Sequence, residues 1–203
     1  MHRPSQLVLA SASPRRSELL ARLGIRFTVA PSAIPEEHLP GESVVEHVLR
    51  LSQEKAREVA GRPEVAGRWF LGSDTEVERD GVVLGKPEDA AAAAAMLRSL
   101  SGRAHQVVSG YAVYDREKGE MIAGTVRTKV IFKTLNEAEI AGYIASGEPF
   151  DKAGAYAIQG LGAFMVSAIE GSYTNVVGLP LCEVVADLER LGAVTLFADP
   201  LQG

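Results

Sequence analysis

The spacing of apolar residues changes repeatedly along the chain, and each change predicts a new element of secondary structure. Residues 6–10 form a short apolar run that predicts a buried strand. The helix predicted after it has Ser13 as its N-cap and Pro14 as its first residue, and Gly24 ends it. Further strands are predicted over residues 27–30, 69–72, 163–169 and 194–197.

Side chains that can cap a helix mark two further helix starts. Ser43 and Glu46 form a capping-box pair, which predicts a long helix ending near residue 60. Asn136 and Glu139 repeat the pattern and predict a shorter helix ending near residue 145. Two more helices are predicted over residues 87–100 and 181–191.

Two hairpins lie between these helices. Asp80-Gly81 separates two short strand-like segments, which is typical of a tight two-residue turn. Residues 106–114 and 121–132 alternate apolar and polar side chains on either side of a turn, and they predict a long antiparallel pair. Because helices and strands alternate and hairpins are mixed among them, the sequence predicts an α/β fold with a mixed β-sheet.

Composition narrows the class of protein. The 203 residues are 46% hydrophobic and 23% charged, which suffices for a core and argues against disorder. The net charge of −5 argues against a nucleic-acid-binding surface but leaves room for a small nucleotide in a local basic pocket. No segment has the apolar length of a membrane span or of a signal peptide. The single cysteine, Cys182, lies in an apolar run and is predicted to be buried, so we expect a cytoplasmic protein without disulfides.

Two arginines lie where a helix usually carries acidic residues. Arg15 and Arg16 fall in the first turn of the helix that Ser13 caps, beside unpaired amides and the positive end of the helix dipole. A bound anion would remove this conflict, and the hydroxyls of Ser11 and Ser13 could join the arginines in holding a polyphosphate. The same residues fit a surface helix with two solvated arginines equally well.

One acid and two lysines are further candidates for such a site. Asp74 follows the predicted strand 69–72, where a carboxylate can hold a metal or a water, although an aspartate there can also form a turn with its own backbone. Lys55 lies on the apolar stripe of its helix, from which it could reach a cleft or extend its ammonium to solvent. Lys86 precedes a predicted helix start and is another candidate phosphate contact.

From about residue 7 to residue 191, the chain resembles the Maf family, because six short motifs occur in the same order as in that family. The motifs are Ser11-Ala12-Ser13-Pro14-Arg15-Arg16, Gly72-Ser73-Asp74-Thr75, Gly85-Lys86-Pro87, Leu100-Ser101-Gly102, Asp151-Lys152-Ala153-Gly154-Ala155-Tyr156 with Gln159-Gly160, and Asn175-Val176-Val177-Gly178-Leu179-Pro180. Six ordered motifs are far more specific than a single glycine pattern.

The resemblance implies a fold and an activity. The fold is an elongated mixed sheet flanked by helices, with two lobes around a central cleft, in a single domain over residues 1–203, similar to inosine-triphosphate pyrophosphatases. The activity is hydrolysis of a nucleoside triphosphate to the monophosphate and pyrophosphate with Mg²⁺ or Mn²⁺, and the family also implies a homodimer. Arg15, Thr75 and Gln159 match the specificity positions of the branch that prefers dTTP and UTP, and an amide such as Gln159 can pair with a pyrimidine edge.

The resemblance also implies roles for the site residues. Glu37 and Asp74 would hold the metal, and Asp74 would orient or deprotonate the attacking water. The triphosphate would be bound by Ser11, Ser13, Arg15, Arg16, Lys55 and Lys86. Ser73 departs from the alanine that the family usually has, and Glu76 replaces an apolar residue, so that it either points to solvent or adds a carboxylate near the site.

Two other functions stay open at this point. The family is linked to arrest of septum formation, so the chain could be a nucleotide-binding regulator of division, although a pure binding module would not need the acids Glu37 and Asp74. The same chemistry could also act on 7-methylguanosine triphosphate or another purine nucleotide. The segment around Gln159 is the feature that discriminates between bases.

Overall fold

The structure, a computed structural model, describes residues 6–197, and within them it contains a mixed seven-stranded β-sheet. The strands are β1 (Leu7–Leu9), β2 (Thr28–Val29), β3 (Trp69–Arg79), β4 (Val82–Leu84), β5 (Ala104–Asp115), β6 (Glu120–Phe132) and β7 (Val166–Glu170). The α-helices are α1 (Pro14–Arg22), α2 (Val44–Ala60), α3 (Ala90–Leu100), α4 (Glu137–Ala145), α5 (Tyr173–Val177) and α6 (Leu181–Arg190). Short 3₁₀ segments cover Glu148–Asp151, Ala153–Ala155 and Gly160–Met165.

The sheet combines parallel and antiparallel pairs. The strand order is β2-β1-β3-β5-β6-β7, and β4 pairs with β3 outside this series. β1 runs parallel to β2 and to β3, whereas β4 is antiparallel to β3 and β7 is antiparallel to β6. The predicted α/β fold, with a mixed sheet flanked by helices, is therefore confirmed.

Local sequence signals fix several element ends. The capping boxes of Ser43 with Glu46 and of Asn136 with Glu139 are both formed, each with its reciprocal pair of hydrogen bonds. Asp80 and Gly81 have φ angles of 53° and 79°, as a two-residue hairpin turn between β3 and β4 requires. These starts and turns confirm the predictions from the capping and turn residues.

The described chain divides into two compact units. Unit 1 comprises residues 6–74, 109–125 and 178–197, and unit 2 comprises residues 75–108 and 126–177. Each unit has its own cluster of buried apolar side chains. Unit 1 buries Val8, Ala10, Ala56, Val59, Phe70 and Ala112, and unit 2 buries Leu97, Leu100, Val107, Val130, Phe132, Ile140 and Met165.

Helix α2 lies against the backbone of two strands at glycines. A Cβ added at Gly72 of β3 would lie 2.1 Å from the carbonyl oxygen of Ser52 and 2.8 Å from the nitrogen of Ala56. A Cβ at Gly110 of β5 would lie 2.2 Å from the carbonyl oxygen of Val48. Because real Cβ atoms do not approach that closely, any side chain at either position would push α2 off the sheet.

A buried aromatic cluster forms part of the unit 2 core. His105 is 3% exposed, and its Nε2 lies 2.8 Å from the hydroxyl of Tyr156. The His105, Phe132 and Tyr156 rings pack edge to face, with centroids 4.7 to 5.3 Å apart. Burial lowers the pKa of His105 to about 4, so this imidazole is neutral in the folded protein at neutral pH.

Several predicted boundaries are wrong. β3 does not end at Gly72 but continues to Arg79, because its last three residues pair with β4. The helix predicted from Pro87 begins at Ala90, where Asp89 accepts a hydrogen bond from the amide of Ala92 at 2.7 Å. Residues 194–197 form no strand. The strand predicted over residues 163–169 is β7, preceded by 3₁₀ turns.

Cys182 is exposed rather than buried, which contradicts the prediction from its apolar neighbours. The segment 181–185 is helical, so its apolar residues do not all face one way. Val184 and Val185 are buried, whereas Cys182 lies on the outer side of α6. Among the described residues, no helix has both the length and the apolar character to cross a bilayer.

We predict that Gly72→Ala lowers the free energy of unfolding by about 3 kcal/mol, because the added Cβ meets backbone atoms that cannot move aside. Thermal unfolding should show a melting temperature roughly 5–10 °C lower. Gly142→Ala is the matched control, since Gly142 lies inside α4 with open space around it. That variant should gain about 0.5–1 kcal/mol, and equal stability of the two variants would contradict the close packing at Gly72.

We also predict an acid-dependent loss of stability that depends on His105. The unfolded chain binds a proton at this residue below pH ~6.5, whereas the folded chain binds it only below about 4. Stability should therefore fall as the pH decreases from ~6.5 to 4, by at most roughly 1.4 kcal/mol per pH unit from this group. Urea denaturation of the unsubstituted protein and His105→Gln across this range measures the difference. Parallel pH profiles would show that burial does not hold His105 neutral.

Candidate active site

Lys55 forms two ion pairs at the centre of the candidate site. Its Nζ lies 2.8 Å from Oδ1 of Asp74 and 2.5 Å from Oε1 of Glu36. The side chains of Lys55 and Asp74 are only 7% and 11% exposed, whereas that of Glu36 is 56% exposed. Burying Lys55 requires a charged partner, which Asp74 provides. The three groups together carry one negative charge, and the solvent-facing side of the triad is a carboxylate.

The packing of α2 on β3 places Lys55 beside Asp74. Gly72 and Asp74 are two residues apart on β3, so they face the same side of the strand. Ala56 of α2 contacts Gly72 directly, and Lys55 is its neighbour along the helix. The apolar stripe of α2 therefore brings Lys55 inward. Of the two alternatives that the sequence left open, the side chain does not extend its ammonium to solvent.

The Arg16 guanidinium donates hydrogen bonds to a side-chain oxygen and to a backbone oxygen. Its Nη1 donates to the Ser11 hydroxyl at 2.9 Å, and its Nε donates to the carbonyl oxygen of Gly178 at 2.8 Å. Burial lowers the pKa of the Arg16 guanidinium, while the carboxylates of Asp74 and Glu36 act in the opposite direction. Arg16 therefore lies within the electrostatic reach of the Lys55 triad.

The start of α1 has the structure that the sequence predicted. Ser13 is the N-cap, Pro14 is the first helical residue, and the first turn contains no acidic side chain. The Ser13 amide donates to the Ser11 hydroxyl at 3.2 Å, and the Ser13 side chain makes no capping hydrogen bond. Arg15 is half-buried beside Arg16, whose pKa it lowers. This helix terminus thus concentrates positive charge next to the acids of the triad.

The acid that contacts Lys55 is Glu36, and its neighbour Glu37 is the residue to which the family resemblance assigns the metal. Glu37 is exposed, and its backbone carbonyl accepts a hydrogen bond from Arg50 Nη2 at 3.0 Å. Periodicity cannot indicate which of two adjacent glutamates in a loop faces a helix, because the loop has no helical or strand repeat. The metal-binding role of Glu37 stays a prediction.

The remaining predicted residues belong to unit 2. Thr75 follows Asp74 in β3, and Gln159 is a half-buried residue at the start of the 3₁₀ segment Gly160–Met165. Lys86 is exposed and lies outside α3, so the expectation that it starts a helix is wrong. The amide of Gly154 donates to the carbonyl of Gly85 at 3.1 Å. This bond brings the Gly85-Lys86-Pro87 motif to the segment that leads to Gln159.

Ser73 and Gly178 have structural roles that the sequence did not reveal. Ser73 is fully buried, and its hydroxyl donates to the carbonyl oxygen of Gly110 at 2.8 Å. This bond accounts for a serine where an alanine would otherwise suffice. Gly178 accepts the Arg16 bond through its backbone, which no side-chain pattern could indicate. Glu76 is half-buried in β3 and does not point fully to solvent.

The donor set around Lys55 suits a hard divalent ion. Carboxylate oxygens are the ligands that Mg²⁺ and Mn²⁺ prefer. Asp74 and Glu36 each place a carboxylate oxygen against the same ammonium group, that of Lys55. Glu37 offers a further carboxylate on the same loop. Asp74 and Glu36 therefore supply the type of ligand atom that such a metal would need.

The chain matches the family model described as Maf-like protein over residues 6–191. It is 68% identical to a dTTP/UTP pyrophosphatase of Syntrophotalea carbinolica, over 96% of this chain and 88% of that protein. It is 58% identical to a dTTP/UTP pyrophosphatase of Geobacter sulfurreducens, over 93% of this chain and 98% of that protein.

Among solved structures, a dITP/XTP pyrophosphatase from Mycobacterium abscessus covers 93% of this chain, and this chain covers 97% of that one. The TM-score is 0.40 at 15% sequence identity. The match to the family model includes all six ordered motifs, and the two curated relatives cover 96% and 93% of this chain. The chain belongs to the Maf family.

Proposed function

We propose that this chain is a nucleoside-triphosphate pyrophosphatase that hydrolyses dTTP and UTP to the monophosphate and pyrophosphate. The observation that supports this most directly is the triad of Lys55, Asp74 and Glu36, beside the cationic start of α1. The names of the relatives, dTTP/UTP pyrophosphatases, support the same substrate class. The residue types match the needs of the reaction, which are cations for phosphate oxygens and carboxylates for a metal and a water.

In this proposal, the cations of the site bind the triphosphate. Arg16 and Lys55 contact oxygens next to the bond that breaks, and they stabilise the negative charge that grows on the departing pyrophosphate. Arg15, Lys86 and the hydroxyls of Ser11 and Ser13 complete the phosphate contacts. Bidentate guanidiniums are well suited to phosphate, since each can donate two parallel hydrogen bonds.

Asp74 acts on the water. Its Oδ1 accepts from Lys55, and a carboxylate has a second oxygen that can accept a hydrogen bond from a water. The water oxygen attacks the α-phosphorus as its proton passes to Asp74, and the bond between the α-phosphorus and the bridging oxygen breaks. Asp74 with Glu36 and Glu37 would hold Mg²⁺ or Mn²⁺, which supplies positive charge to the phosphate oxygens when bound.

The base is recognised in unit 2, by Gln159 and Thr75. The Gln159 amide offers a donor and an acceptor, which match the carbonyl and imide groups of uracil and thymine. We also propose that residues 1–203 act as one domain. Asp74 and Thr75 are consecutive but belong to different units, and the chain passes between the units repeatedly. A homodimer and a cytoplasmic location complete the proposal.

We predict that pyrophosphate release in the presence of Mg²⁺ or Mn²⁺ is fast with dTTP and UTP and slow with CTP, GTP, ITP and 7-methyl-GTP. Gln159→Ala should lose this preference more than it loses turnover, because it removes the amide that pairs with the base. Faster turnover of a purine nucleotide would keep the chemistry and reject the base assignment. Binding without turnover, in folded protein, would favour the regulator instead.

We predict that Asp74→Asn lowers kcat by at least ~100-fold while the protein stays folded, because the amide cannot accept the proton from the attacking water. Asp80→Asn is the matched control, since Asp80 is exposed in the hairpin turn and has a positive φ that asparagine tolerates. The control should keep full activity. Circular dichroism checks the fold, and near-normal turnover of a folded Asp74→Asn protein would remove Asp74 from this role.

A further inference from the structure

A second group of metal-ligating side chains lies at the beginning of α2. His38, Glu42 and His47 each offer one ligand atom, and these three atoms lie within 4.8 Å of one another. The His38 and His47 rings are stacked, with centroids 3.6 Å apart and planes 7° from parallel. His47 Nδ1 lies 2.9 Å from Oε2 of Glu42. None of these residues belongs to the triad around Lys55.

Two members of this cluster have side chains that are largely covered. The side chains of His47 and Glu42 are only 2% and 7% exposed. Each oxygen of the Glu42 carboxylate accepts a hydrogen bond from the Arg50 guanidinium. A carboxylate that is largely removed from water beside a buried imidazole is costly unless positive charge faces it. The fold therefore maintains a position that requires positive charge.

In the structure, the guanidinium of Arg50 supplies that charge. Its Nε and Nη2 lie 2.6 and 2.8 Å from the two oxygens of Glu42, and Nη2 also lies 3.2 Å from His47 Nδ1. Arg50 has two other partners, since Nη1 donates to Glu54 at 3.1 Å and Nη2 donates to the Glu37 carbonyl. Arg50 can therefore give up Glu42 to another cation and keep a charged partner on its own helix.

We propose that His38, Glu42 and His47 form a second cation site, which binds a divalent transition metal of the zinc class rather than Mg²⁺. Two imidazoles and one carboxylate are a donor set that Zn²⁺ accepts with a fourth position for water, and imidazole selects against hard ions. The parallel rings cannot both point at one ion, so the exposed His38 ring rotates out of the stack to bind it.

The metal would fasten a loop to a helix. His38 and Glu42 lie in the segment between β2 and α2, and His47 is the fourth residue of α2. The same segment carries Glu36, the partner of Lys55. A metal at the second site would fix the segment two residues from Glu36, so it would stabilise the fold without taking part in hydrolysis. The inference stands independently of the proposed function.

The test is zinc binding to the full chain after treatment with EDTA. Isothermal titration with Zn²⁺ is carried out in millimolar Mg²⁺ on an Asp74→Asn background, which removes a central acid of the other site. We expect one Zn²⁺ per chain and a visible d–d spectrum with Co²⁺. His38→Ala, an exposed position, should weaken zinc binding at least tenfold, and Arg50→Gln should strengthen it because the competing guanidinium is gone.

Cys182→Ser is the matched control, since the exposed thiol is the alternative soft ligand for zinc. It should leave the affinity unchanged. Zinc should also raise the melting temperature of the parent protein and not that of His38→Ala. The inference is overturned by any of three outcomes: no zinc binding, equal affinity with and without His38, or binding that is lost in Cys182→Ser. An Arg50→Gln protein that binds no more tightly would contradict the competition between guanidinium and ion.

Discussion

The direct contact of α2 with the backbone of β3 and β5 is the constraint on which the site depends. Gly72 and Gly110 carry no side chain, so the helix approaches the sheet to a distance that any Cβ would prevent. This approach sets the depth at which Lys55 enters the protein, and therefore its distance from Asp74. Catalytic groups must be held to within a fraction of an ångström. Gly72 and Gly110 are therefore needed because they let α2 bring Lys55 close to Asp74, and not because they form a turn.

Burying the charged groups of Lys55 and Arg16 costs free energy, and the groups of opposite charge around them offset this cost. Lys55 loses most of its hydration, and two carboxylates replace it. Arg16 loses hydration as well, and it gains the Ser11 hydroxyl, the Gly178 carbonyl and the field of both acids. Each buried charge is therefore satisfied by atoms from a different part of the sequence. Preorganisation of this kind lets a site meet a charged substrate with little rearrangement.

Features that depend on neighbouring residues, such as helix starts and tight turns, could be predicted from the sequence. Features that depend on contacts between distant residues, such as strand length and side-chain exposure, could not. Capping residues and the Asp80-Gly81 turn act locally, and the elements that they start are as predicted. Asp74 was predicted after a strand but lies inside one, because pairing with β4 extends β3 beyond the apolar run. The contact of Lys55 with Glu36 depends on how a loop without periodicity meets α2, which no local pattern shows. The exposure of Cys182 likewise depends on which side of α6 faces the core.

Helix α2 holds the loop that precedes it near the middle of the loop and near its end. Lys55 binds Glu36, and Arg50 binds the carbonyl of Glu37 and the carboxylate of Glu42. Glu36 is the most exposed member of its triad, so it is the partner that a phosphate oxygen would displace from Lys55 at least cost. On the proposed function, substrate binding would then release this carboxylate for the metal that accompanies the triphosphate. The contacts of Arg50 with the Glu37 carbonyl and the Glu42 carboxylate would keep the loop in place during that exchange, because they do not involve the substrate.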